Sequence, residues 1–143
     1  MQTVDELLMA RLTSDNSKTG NLQSLLGGSG RIWHAHQLQI PVKGSVTYLS
    51  ESNVPSAVLR GENLEGQVEF YMFHIFHDQY NTVLDRIYNL LHNYRFPTTP
   101  ADVAVKSCVW EWTGPDEFDE ALECGAKRVR FKIESVRSAQ API

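Results

Sequence analysis

Residues 64–94, LEGQVEFYMFHIFHDQYNTVLDRIYNLLHNY, change their hydrophobic period once, and that change decides the fold. In the first half Val68, Phe70, Met72, His74 and Phe76 fall on one side of an extended chain, and Tyr71, Phe73 and Ile75 fall on the other. A period of two is the mark of a strand, and apolar residues on both sides predict a central strand with both faces covered. From Asp78 onward Val83, Leu84, Ile87, Leu90, Leu91 and Tyr94 recur every three or four residues, which predicts an amphipathic helix. Asp78 is the expected N-cap, and Pro97 and Pro100 stop the chain soon after Tyr94. A strand that passes straight into a long helix places that helix across its own sheet.

Downstream, Val103 to Thr113 alternates, with Cys108, Trp110 and Trp112 expected on one side and Val105, Val109 and Glu111 on the other. Gly114 and Pro115 break the run. Lys127 to Val136 is amphipathic again: Val129, Phe131 and Ile133 face inward, and Arg128, Arg130, Lys132 and Glu134 face out. Two such strands joined by a connection rich in acids predict an antiparallel pair with an extended loop. Upstream, Asp5 to Leu12 reads as a short helix with Leu7, Leu8 and Leu12 inside, opened by Thr3 and Glu6 as a capping box. Residues 14–30 are polar and rich in Gly and Ser around one helical turn at Leu22, Leu25 and Leu26. Residues 31–42 read as extended, 44–50 as a short strand carrying Val46 and Tyr48, and 51–63 as a loop marked by Pro55 and Gly61. The expected architecture is a single α+β domain, 1–143. It has an antiparallel β-sheet with one long α-helix packed on a face, a short N-terminal helix and long polar loops.

A chain of 143 residues buries enough surface to need no disulfide framework, and Cys108 and Cys124 could not supply one. Flanking the acidic loop, the two cysteines could meet only if the hairpin closes in register; as free thiols, Cys108 is expected to be buried beside Trp110 and Trp112. No run approaches the roughly 18 uncharged apolar residues of a membrane span. Asp5 and Glu6 stand where a signal peptide carries bases, so the expectation is a reducing, intracellular, non-membrane setting.

The net charge of −4 argues against a general nucleic-acid binder. It also conceals a division along the chain. Residues 114–125 hold five acids (Asp116, Glu117, Asp119, Glu120, Glu123) and no base, whereas residues 126–143 hold five bases and one acid. Opposite charges on adjoining segments suit a subunit that meets copies of itself.

Motifs for catalysis are sparse. His34 and His36 form an H-x-H on an extended segment, which would place two imidazoles on one face as the start of a metal site and a small metal-dependent hydrolase. A third ligand would have to come from His74, His77, His92 or a carboxylate, and no spacing identifies it. His92 sits near the end of the long helix, where the dipole favours an imidazolium. The acids of the 116–123 loop lack the spacing of a calcium loop, and Gly28, Ser29 and Gly30 lack the strand and helix of a phosphate cradle. No aromatic alternates with Arg128, Arg130 and Lys132 on that same face, so a base-stacking platform is not expected. The residues therefore point to no catalytic centre, no metal and no cofactor.

The succession of 64–94, VAVKSCVWEW, the GPDEFDEA loop and KRVRFKIESV, preceded by the helix in MQTVDELLMARL, resembles the tail-terminator or tail-completion proteins of long-tailed bacteriophages. These are small neck proteins that cap the tail tube and join it to the head. The resemblance spans Val4 to Val136, and residues 51–63 have no place in it. It implies a non-enzymatic virion protein that assembles in the host cytoplasm into a homo-oligomeric ring, usually a hexamer. Its implied partners are the tail tube protein and the head-tail connector, with DNA passing through the lumen. The alternative in the same class is a head-side joining protein. The resemblance makes the subunit interface the expected role of Asp116, Glu117, Asp119, Glu120, Glu123, Arg128, Arg130 and Lys132.

Overall fold

A computed structural model describes residues 4–15, 21–28, 30–34, 41–55, 64–96 and 103–138. Its elements are α1 (Val4–Thr13), α2 (Leu22–Leu25), β1 (Ile32–His34), β2 (Ser45–Pro55), β3 (Leu64–Phe76), α3 (Tyr80–Leu91), β4 (Val103–Thr113), β5 (Glu117–Asp119) and β6 (Cys124–Ser138). The strands form one sheet in the order β1-β2-β3-β6-β4, with β5 paired to β6. All pairings are antiparallel except the short edge pair β1-β2. This is the expected α+β architecture, with β3 at the centre of the sheet.

The three helices share one core with the inner face of the sheet. Leu7, Leu8 and Leu12 of α1, Leu22 of α2 and Val83, Ile87 and Leu91 of α3 bury against Tyr48, Tyr71, Phe73, Ile75, Val129, Phe131 and Ile133. The helical stripe of 83–91 and the inward set of β6 are as their periods predict. The prediction that both faces of β3 are covered does not hold: Val68, Phe70, Met72 and His74 are only half-buried on the outer face. Phe76 is the exception, sealed with Cys124, Ala126 and Leu122 into a small second core beneath the β5-β6 hairpin.

Polar contacts fasten the helices. Tyr71 donates to the Asp5 carboxylate at 2.6 Å and Tyr48 donates to the Asp5 carbonyl at 3.1 Å, pinning α1 to the sheet. Asp15 is almost fully buried, forms a two-armed ion pair with Arg86 of α3, and accepts from the Leu22 amide at 2.8 Å. Gly44, at φ +80°, lies so close to α2 that a Cβ there would meet the Leu26 carbonyl oxygen at 2.7 Å.

Three local expectations are corrected. The N-cap of α3 is Gln79; Asp78 instead pairs with Lys43 at 3.0 Å and accepts from the Gly125 amide. β2 runs through residues 51–55, which read as loop, because pairing with β3 carries the strand past a register shift between Ser50 and Ser52. The polar residues there occupy a strand rather than a turn. β4 carries two register shifts, at 105–107 and 110–112, each setting one extra residue against β6. The first brings Val105 and Cys108 to the same core, and the second turns Trp112 to the outer face opposite Arg130. Cys108 and Trp112 therefore do not share a side. Thr3 lies outside the described residues.

Candidate functional site

The charged segments converge on the β5-β6 hairpin. After Thr113 the Gly114 amide donates to the Arg128 carbonyl at 2.8 Å, closing the chain back onto β6. Glu117, Phe118 and Asp119 then pair with Ala126, Gly125 and Cys124. The turn is set by Glu123 at φ 53° and by Asp119, whose Oδ1 accepts from the Leu122 amide at 2.8 Å. Gly125 is demanded by packing: a Cβ there would stand 2.7 Å from the Tyr80 ring.

Charges that are separated in sequence meet within the same chain. Arg128 donates to Glu117 at 2.6 Å and Lys127 donates to Asp116 at 2.8 Å. Arg130 pairs with Glu111 of β4 at 3.0 Å and lies 4.0 Å from Glu51 of β2, and Lys132 stands 3.5 Å from Glu134. Lys127 beside it holds the Asp116 carboxyl below its ordinary range. Among the described residues, Asp119, Glu120 and Glu123 take part in no ion pair with a lysine or arginine.

Sequence reasoning missed Lys127, Glu111, Phe118 and the surroundings of Arg130. The guanidinium of Arg130 lies 5.9 Å from the centre of the Phe70 ring and 5.6 Å from that of Trp112. The aromatics absent from the outer face of β6 are thus supplied by the neighbouring strands. Phe118 is 66% exposed, an aromatic carried between two acids on a three-residue strand. An isolated aromatic within an otherwise charged loop was its available signal.

Beneath the hairpin His74 is the cross-strand partner of Arg128. Its Nε2 is buried without a hydrogen-bond partner among the described residues and lies 4.0 Å from Glu117. Burial, and then the charge of Arg128, push its pKa down from the ordinary value.

The remaining candidates are dispersed. His34 lies 3.4 Å from Asp5 and edge-on to Tyr48, while His36 lies outside the described residues. Among the described residues no group of three or more His, Cys, Asp and Glu side chains is gathered to hold a metal. The Nδ1 of His92 accepts from the Trp110 amide at 3.0 Å and the ring stacks on Tyr88, so it fastens the end of the helix to β4. His77 likewise accepts from the Gln79 amide. Cys108 and Cys124 are free and buried. Cys108 faces Ile133 across the sheet, nine residues along β6 from Cys124 and so roughly 30 Å away, which rules out their pairing. Burial pushes the Cys108 thiol up to about 12. No helix among the described residues is long and apolar enough to cross a membrane.

Sequence comparison finds no matching family model and no matching curated protein. Among solved structures, a chain described as "Virion of native gene transfer agent (GTA) particle" matches with a TM-score of 0.67 at 10% identity, over 95% of this chain and 95% of that one. The two chains share a fold.

Proposed function

We propose that this chain is a non-enzymatic structural subunit of a phage-like virion, of the tail-terminator or tail-completion kind. Copies of the 1–143 domain form a ring, hexameric by the resemblance, that caps the tail tube and joins it to the head connector. The ring assembles in the host cytoplasm, and DNA passes through its lumen. The observation that carries this reading is the end-to-end fold likeness to a gene transfer agent virion chain, which covers nearly the whole of both molecules. The absence of a gathered metal-ligand group among the described residues fits it, as does the engagement of His34 with Asp5.

In this reading the hairpin acids Asp116, Glu117, Asp119, Glu120 and Glu123 and the bases Arg128, Arg130 and Lys132 belong to the subunit interface. The bases act partly from within the chain, since their ion pairs hold the hairpin and the outer sheet face in shape. Light scattering over a concentration series, with electron microscopy of the same samples, tests the assembly. The expected result is a closed ring at a multiple of 16.2 kDa that binds the end of purified tail tubes. A strict monomer at every concentration that ignores tubes would overturn the reading.

A further inference from the structure

We propose that Phe118 is the anchor by which the hairpin of one copy of this chain grips an aromatic ledge at the C-terminal end of α3 on the next copy. The proposal rests on the ring reading above and names its contact. Phe118 is the most exposed large apolar side chain among the described residues, ahead of Val42 and Trp112. It is not on a loose loop. β5 is paired to β6, and the Lys127–Asp116 and Arg128–Glu117 ion pairs brace it on either side, so little freedom is lost when the ring is buried. With Asp116 and Glu117 neutralised within the chain and Asp119 held by the Leu122 amide, Glu120 and Glu123 of the following turn are the exposed acids next to the aromatic along the chain.

The complementary surface lies further along the sheet, beside the middle of β6. Tyr88 stacks on His92 with ring centres 4.5 Å apart and meets Trp110 edge-on at 4.7 Å, and all three are only half-buried. Arg95 follows this cluster along the chain and Lys106 precedes Trp110 on β4. Both are exposed, and neither takes part in an ion pair among the described residues. An aromatic knob followed by exposed acids thus has a counterpart in an aromatic ledge flanked along the chain by exposed bases. Trp110 of the ledge is paired with Phe131, whereas Phe118 is paired with Gly125, so the two patches are roughly 20 Å apart along β6. One copy cannot join them to each other. Two different patches, separated on the same copy, make a head-to-tail contact, the kind that repeats around a ring.

Sedimentation velocity across a concentration series tests the contact, with circular dichroism confirming that each variant is folded. Phe118→Ala is expected to weaken self-association by at least about tenfold, as for other buried aromatic anchors. The double variants Glu120→Lys with Glu123→Lys, and Arg95→Glu with Lys106→Glu, are each expected to lose association alone and to recover it when mixed. Recovery on mixing supports pairing between these two patches. An oligomeric wild type whose assembly is unchanged by Phe118→Ala, or reversal variants that fail to complement, overturn this contact and leave the ring reading standing. A wild type that is monomeric throughout overturns both.

Discussion

His74 shows how one side chain couples the hairpin to pH. Its folded pKa lies below the ordinary 6.5, so the unfolded chain takes up the proton first as the solution is acidified. Its contribution to stability is therefore complete above about pH 6.5 and is lost as pH falls through the lower, folded value. Urea unfolding between pH 7.5 and 5 should show stability falling more steeply for the wild type than for His74→Phe. Asp15 and Arg86 are a second residue-scale case. Because the Asp15 carboxylate is almost fully buried, Arg86→Ala removes a two-armed ion pair from a buried charge, and a loss of about 3 kcal/mol is expected in the same measurement. Gly125 tests packing rather than charge. Gly125→Ala forces the Tyr80 ring away and should cost about 1–3 kcal/mol, whereas pairing that variant with Tyr80→Ala should remove most of the overlap.

Among the elements, the outer edge of β4 shows what controls strand exposure here. The sheet ends at β4, yet its Cys108 carbonyl accepts from the Asn93 amide at 2.8 Å and its Trp110 amide donates to His92. The turn after α3 thereby occupies the middle of an edge that is otherwise a template for another strand. Asn93 makes the turn at φ 60°, a conformation open to Asn and Gly and costly for β-branched residues. Asn93→Gly should leave thermal stability nearly unchanged, while Asn93→Val should lower it by about 1–2 kcal/mol and promote aggregation, read by melting and turbidity. None of this closure was visible in the sequence. The 83–91 helix and β3 were, because their periods are properties of consecutive residues. The bulges of β4 were not, because an extra residue in a strand changes which face follows it without changing the composition. Trp112 is the clearest result: alternation puts it with Cys108, and the second bulge turns it toward Arg130.

At the scale of the molecule the question is how the charges act. If the proposed head-to-tail contact closes the ring, moving from low to moderate ionic strength should shift light-scattering mass toward the monomer, because the pairs at its rim are solvent-exposed and screened. The acid-rich and base-rich segments could be read directly from the sequence, and so could the inward and outward sides of β6. Their pairing could not. Glu117 reaches Arg128 only because β5 pairs antiparallel with β6 in a register that sets it opposite Ala126. The sequence by itself determined the order of the helices and of the strands other than β5, which read as part of the acidic loop, the helical and strand cores and the segregation of charge, since each is written in local periodicity and residue type. Only the tertiary structure decided which charges are satisfied within the chain, where Trp112 faces and that Phe118 stands exposed, since these depend on register, bulges and contacts between residues far apart in sequence.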